Sequence, residues 1–221
     1  MTIEALAQHI PSHLLQLSGS VFYSGRNAFL PQRPLYILGL NPGGCPEELA
    51  SNTIGHQVNS VITTSQDDWS AYRDESWQGA QPGKHGMAPR VLHLLEKLRL
   101  NAGTVPASNL VFVRSRREAG IRRNEMQILA DCCWPFHQAV IELTQPRAIL
   151  CFGKTTGMYV RERLIAHELI GEFVERNNRR WKSQSFTGMG GIKVIVGTHP
   201  SIADWCAPNT DISQLVADSL Q

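Results

Sequence analysis

Four short apolar runs stand out along the chain: PLYILGL (34–40), NLVFVRS (109–115), RAILCFG (147–153) and IKVIVGT (192–198). Each is rich in β-branched or aromatic residues, and most are bounded by Pro, Gly or Asn. That pattern marks strands buried on both faces rather than half-exposed alternating strands. Between them the apolar positions recur at helical spacing, in APRVLHLLEKLRL (88–100), EMQILADCCWPFHQAVIEL (125–143) and GKTTGMYVRERLIAHELI (153–170). Strand alternating with helix predicts an α/β fold, a three-layer α/β/α sandwich around a central four-stranded parallel sheet. No Ser/Gly-rich linker, low-complexity run or repeat interrupts the chain, so residues 1–221 are expected to form a single domain. The span from about Cys45 to Gly86 has no clear period and carries Trp69, Tyr72 and Trp77. It is too long for a structureless loop in a compact domain, and so contains irregular helices or forms a functional lid or insertion.

Composition narrows the class. The opening MTIEALAQHIPSHLLQL has helical spacing, an early Glu4 and no basic segment ahead of an apolar core, so it does not read as a signal peptide. No apolar run approaches the roughly 20 residues of a membrane span, and a cytoplasmic, monomeric protein with no membrane partner is expected. Cysteines at 45, 132, 133, 151 and 206 are odd in number and include no CxxC, which argues against a disulfide framework or a four-thiolate metal site. No metal and no cofactor are expected. GKTT at 153–156 lacks the earlier glycine of a P-loop, Ala148 standing in its place, and its threonines are read as caps of the following helix. The net charge of +2 says little about partners, but its distribution says more. Arg114, Arg116, Arg117, Arg122 and Arg123 crowd one ten-residue stretch against a single Glu, and Arg176, Arg179, Arg180 and Lys182 form a second cluster.

In open α/β sheets ligands bind outside the carboxyl ends of the strands. That rule selects four loops: GLNPGG after the first strand, RSRREAG after the second, GKTTG after the third and THPSIADW after the fourth. GLNPGG brings bare backbone close to a ligand and aims Asn41 into the cleft. THPSIADW offers His199, stiffened by Pro200, with Ser201 able to bind a phosphate or cap a helix. The second loop is basic, so the cleft is expected to face DNA.

GLNPG and HPS, at the ends of the first and last strands, together resemble the two signature motifs of the uracil-DNA glycosylase superfamily, and are closest to its single-strand-selective and mismatch-specific branches. The resemblance implies a monofunctional DNA glycosylase. Such an enzyme flips a damaged or modified pyrimidine out of DNA and hydrolyses its N-glycosidic bond, leaving an abasic site. His199 would donate to the base oxygen as charge leaves the sugar, and Asn41 would orient the attacking water. An amide is no general base at neutral pH, so turnover should be slow. Gly39, Leu40, Pro42 and Gly43 would form the wall against the base. The most uracil-restricted branch carries a bulky Tyr where this chain has Gly43, so a larger base has room here. The residue that reads the base edge is open: Asn109, at the start of the second run, matches one branch, and Ser115, at its end, matches another.

The family also stacks an aromatic on the flipped base. None follows GLNPGG until Trp69, so either the Trp69, Tyr72, Trp77 segment folds back or the pocket stays open. In the loop after HPS, Ile202 and Ala203 occupy the stretch that wedges into the base stack, with Trp205 as the large apolar alternative. Arg114, Arg116, Arg117 and Ser201 would bind phosphates. Two other readings compete. One is a glycosylase for bulky modified bases such as those of phage DNA, acting in antiviral defence. The other is a DNA-binding or damage-sensing module without turnover.

Overall fold

The computed structural model describes residues 2–116 and 123–221, without the side chain of Arg123. Arg117 and Arg122 of the basic loop lie outside the described residues. Three of the apolar runs form strands, β1 (Leu35–Gly39), β3 (Ala148–Phe152) and β6 (Lys193–Gly197), and the second run supplies only the last residue of β2 (Ala107–Asn109). They pair in parallel in the order β2-β1-β3-β6.

The sheet is larger than the expected four strands. β4 (Glu168–Val174) and β5 (Lys182–Thr187) form an antiparallel hairpin that extends it beyond β6, giving the order β2-β1-β3-β6-β5-β4. The segment 153–170, expected as one helix, therefore splits. α6 (Lys154–Arg163) stops where Ile165 adopts φ 51, in the left-handed region that ends helices, and β4 follows directly. β4 is an exposed edge strand with no buried apolar face, so its pattern carries none of the signal that marked the central strands.

The second apolar run is also corrected. Only Ala107–Asn109 is strand, and Asn109 stands at the carboxyl end of β2 rather than at the start of a strand ending at Ser115. Leu110 and Val111 still donate to the Gly39 and Leu40 carbonyls, at 2.9 Å each. Beyond them an N-terminal segment takes over the pairing: Ser20 N donates to Phe112 O at 3.0 Å and Arg114 N to Ser18 O at 2.8 Å. The run is apolar because Leu110, Val111 and Phe112 are buried core, not because it is extended sheet.

Alternate strand residues face opposite layers, as a period of two requires. Tyr36, Leu38, Ile149, Cys151 and Val194 pack toward α1 (Ile3–Ala7), α2 (Ile54–Thr63), α5 (Arg123–Thr144) and Val160 of α6. Leu35, Ile37, Leu150, Phe152 and Ile195 pack toward α4 (Ala88–Lys97) and α7 (Ser213–Ser219). Helices thus cover both faces in a three-layer α/β/α arrangement. The span 45–86 contains α2, the one-turn α3 (Ala71–Asp74) and turns, so it is not structureless. Among the described residues no helix is long and apolar enough to cross a membrane.

Candidate functional site

The chain leaves β1 toward β2 on one side and β3 on the other, so the carboxyl ends of these strands diverge into a crevice. A cleft of about 1190 Å³ opens there. Gly39, Leu40, Asn41, Gly43, Asn109 and Ser115 line it from the β1 and β2 ends, and His199, Ser201 and Ile202 from the β6 end. Residues far apart in sequence that were selected by the strand-end rule therefore share one cavity.

Asn41 is fixed by its nitrogen. Its Nδ2 donates to Ser115 Oγ at 2.8 Å, to Pro42 O at 3.1 Å and to Val113 O at 3.4 Å. With the amide nitrogen occupied by the loop, the carbonyl oxygen is the end left to work on a ligand. Ser115, one of the two candidates for reading a base, is thus a positioning partner of Asn41. The other candidate, Asn109, is buried at the cleft edge against Gly39. A Cβ at Gly39 would fall 2.2 Å from Asn109 Oδ1, so the glycine is what lets the amide lie across β1. The Tyr23 hydroxyl reaches the same amide. Burial raises the pKa of this phenol, with the Asn109 contact opposing the shift.

His199 is held by the loop that carries it. The backbone N–H of Ser201 donates to Nδ1 at 3.1 Å, and the Ser201 hydroxyl lies 2.8 Å from the same atom. An Nδ1 that accepts a backbone N–H carries no proton, so the neutral ring bears its hydrogen on Nε2 and is a donor there. The imidazole meets the edge of Phe152, at a centroid distance of 6.0 Å. The loop itself is braced from below. Ile202 N and Ala203 N both donate to the His199 carbonyl at 3.0 Å, and Arg90 binds the Pro200 carbonyl while pairing with Asp204 at 3.3 Å.

Trp205 cannot be the wedge suggested for it. It is fully buried, packs on Phe152 at 5.5 Å and directs its indole N–H toward Thr198 Oγ1 at 3.4 Å. A side chain this large and apolar is worth more in the core beneath the loop than in solvent. Ala203 is buried too, whereas Ile202 is 56% exposed at the cleft rim. The arginines also divide. Arg114 binds the Gly43 carbonyl and, at 3.2 Å, Ser18 Oγ, bracing the GLNPGG loop. Arg116 is 67% exposed at the rim, held loosely by Cys45 Sγ at 2.9 Å and Glu47 at 3.4 Å.

Trp69, Tyr72 and Trp77 pack in the cores rather than lining the cleft. The aromatic groups that do line it are Phe152, at the end of β3, and Trp181, at the start of the hairpin's second strand. Phe152 was within reach of sequence reasoning, because it ends a predicted strand beside the GKTTG loop. Trp181 was not, because its hairpin left no pattern. Opposite the Asn41 wall the cleft also takes in Lys154, Met158, Arg161, Lys182 and Gln184. A Cβ at Gly43 would meet nothing within 4 Å, so that part of the wall is open. Among the described residues no group of three or more His, Cys, Asp or Glu side chains is placed to hold a metal ion.

Behind the site, His137 of α5 ties the segment after Asn109 to the sheet. Its Nε2 donates to Leu110 O at 3.1 Å and its Nδ1 lies 2.8 Å from the Tyr36 hydroxyl. Burial drives the His137 pKa down to about 4, with bonds to the backbone opposing it, so the ring is neutral at ordinary pH. Compared with known protein families and with curated proteins, the chain matches none.

Proposed function

We propose that the protein is a monofunctional DNA glycosylase of the uracil-DNA glycosylase type, which flips a modified pyrimidine into the cleft and hydrolyses its N-glycosidic bond. The observation that carries this reading is the meeting of Asn41 and His199 in one cavity, each held with its useful end defined. Hydrolysis of this bond sends the base away as an anion while positive charge gathers on the sugar. A donor at the base oxygen and an oriented water beneath the anomeric carbon are therefore what the reaction needs. The Nε2–H of the neutral His199 ring supplies a donor for the base oxygen. The carbonyl of Asn41 orients the water, which gives up its proton to solvent as the bond to the sugar forms. Asn109, fixed by Gly39 and Tyr23, is the group suited to read the base edge.

A base larger than uracil is the second reading. It is favoured by a cleft of about 1190 Å³, above the roughly 300–1,000 Å³ of ordinary ligand pockets, and by the empty space beside Gly43. Oligonucleotides carrying uracil, thymine opposite guanine, or cytosines with substituents of graded size at C5, incubated with the protein and then treated with alkali, test both. Strand breaks at the marked base support the glycosylase. Cleavage confined to the larger substituents selects the second reading. No alkali-labile site with any substrate, or a reaction abolished by a chelator and restored by added metal, would overturn both.

A further inference from the structure

The turn between β4 and β5 places an aromatic ring, a cationic cluster and the cleft rim together. Trp181 lines the cleft and is 39% exposed. Arg179 holds the ring, its guanidinium carbon 4.2 Å from the ring centroid. Arg179 is itself anchored twice: to buried Glu175 at 3.1 Å, and to the Ile202 carbonyl at 2.7 Å. Asn177 closes the turn, donating to Glu175 at 2.9 Å and accepting from the Arg179 backbone N–H at 2.9 Å. The indole is therefore fixed in advance, and it is joined through Arg179 to the loop that carries His199 and exposed Ile202. Arg176, Arg180 and Lys182 of the same hairpin are exposed, Lys182 in an ion pair with Glu172 at 3.0 Å.

We propose that this hairpin tip is a subsite for single-stranded DNA, in which Trp181 stacks on a nucleobase adjoining the flipped nucleotide and the arginines of the hairpin meet its phosphates. The inference rests on the glycosylase reading and adds a strand preference to it. A ring fixed on a rigid turn stacks on any base without paying to order itself, and a polyanion is the partner the local charge suits. In a duplex the neighbouring base is paired and stacked, so it is unavailable to Trp181. The arrangement therefore favours an unpaired strand.

The test is a fluorescence-anisotropy titration of a labelled unmodified single strand and of its duplex, with wild-type protein, Trp181→Ala and Trp181→Phe. Thermal melts confirm that each variant is folded. Trp181→Ala is expected to weaken single-strand binding about 5- to 150-fold, with Trp181→Phe intermediate and duplex binding little changed. Wild-type tryptophan fluorescence should be quenched by the single strand, and that quenching should fall in Trp181→Ala. If wild-type protein binds DNA and Trp181→Ala binds single strands equally well, the subsite is wrong and the glycosylase reading stands. Equal weakening on strand and duplex also overturns it, as does unchanged binding with an altered choice among base substituents, which would assign Trp181 to the flipped base. If the wild-type protein binds neither DNA, the glycosylase reading falls and the subsite falls with it.

Discussion

Replacing Gly39 with Ala tests whether the amide of Asn109 is held where a flipped base would need it. The added Cβ would sit 2.2 Å from Asn109 Oδ1, where ordinary contacts begin at 3.4 Å, so the amide must retreat by about 1.2 Å. Gly39 is not among the glycines at positive φ, and its strand pairing with Asn109 uses backbone alone, so Ala fits the main chain. The strain falls on the side chain of Asn109, and folding should suffer little. A displacement of this size in a positioning group costs roughly 10²-fold in rate. Single-turnover excision by Gly39→Ala should therefore fall by about that factor, while the thermal midpoint stays close to wild type. Asn109→Ala removes the amide and with it the clash. The double variant should then be no slower than Asn109→Ala alone, a strongly non-additive cycle. Wild-type rates in Gly39→Ala, or losses that simply add in the double variant, would refute the coupling between these two positions.

His199→Ala should slow excision by roughly 10²–10³-fold, the usual cost of losing one donor to a developing oxyanion, and Asn41→Ala should also be slow, both with DNA affinity nearly unchanged. Single-turnover rates and anisotropy on the same preparations check this. Arg116→Ala should lower affinity for DNA of any sequence and reduce the slope of log affinity against log salt by about one, whereas an unchanged slope would make Arg116 a solvated surface residue. The folded His137 ring titrates near 4 and an unfolded one near 6.5, so the unfolded chain binds more protons between these values. Stability should hold above pH 6.5 and fall by about 3 kcal/mol as the pH drops from 6.5 to 4. Urea midpoints measured across that range should show the loss in wild-type protein and a shallower one in His137→Gln. Parallel curves would refute the assignment.

The central sheet was legible because strands buried on both faces are apolar without interruption, and the strand-end rule then led from them to Asn41 and His199. The hairpin was not legible. β4 has no fully buried residue, and the sequence from Glu168 continues the apolar spacing of α6, so nothing announced the strand that follows the turn at Ile165. NLVFVRS misled for the opposite reason, since burial made an irregular segment look like a strand. The consequence was a reversed placement of Asn109, which in fact ends its strand. Trp205 shows the limit of reading a large apolar residue near a functional loop: the same composition serves a wedge or a foundation, and only the surrounding Phe152 and Thr198 decide between them.

Gly43 has a consequence beyond the space it leaves. Its carbonyl is gripped by Arg114, so the backbone is braced, and a side chain attached there would project from a fixed origin into open volume. Positions of this kind decouple specificity from stability. A methyl, a hydroxymethyl or a phenol could be installed at Gly43 without disturbing the packed interior, each trimming the cavity by a different amount. On the glycosylase reading, substitutions at Gly43 alone would exchange one base size for another, and a small library at this one codon would map how far that range extends.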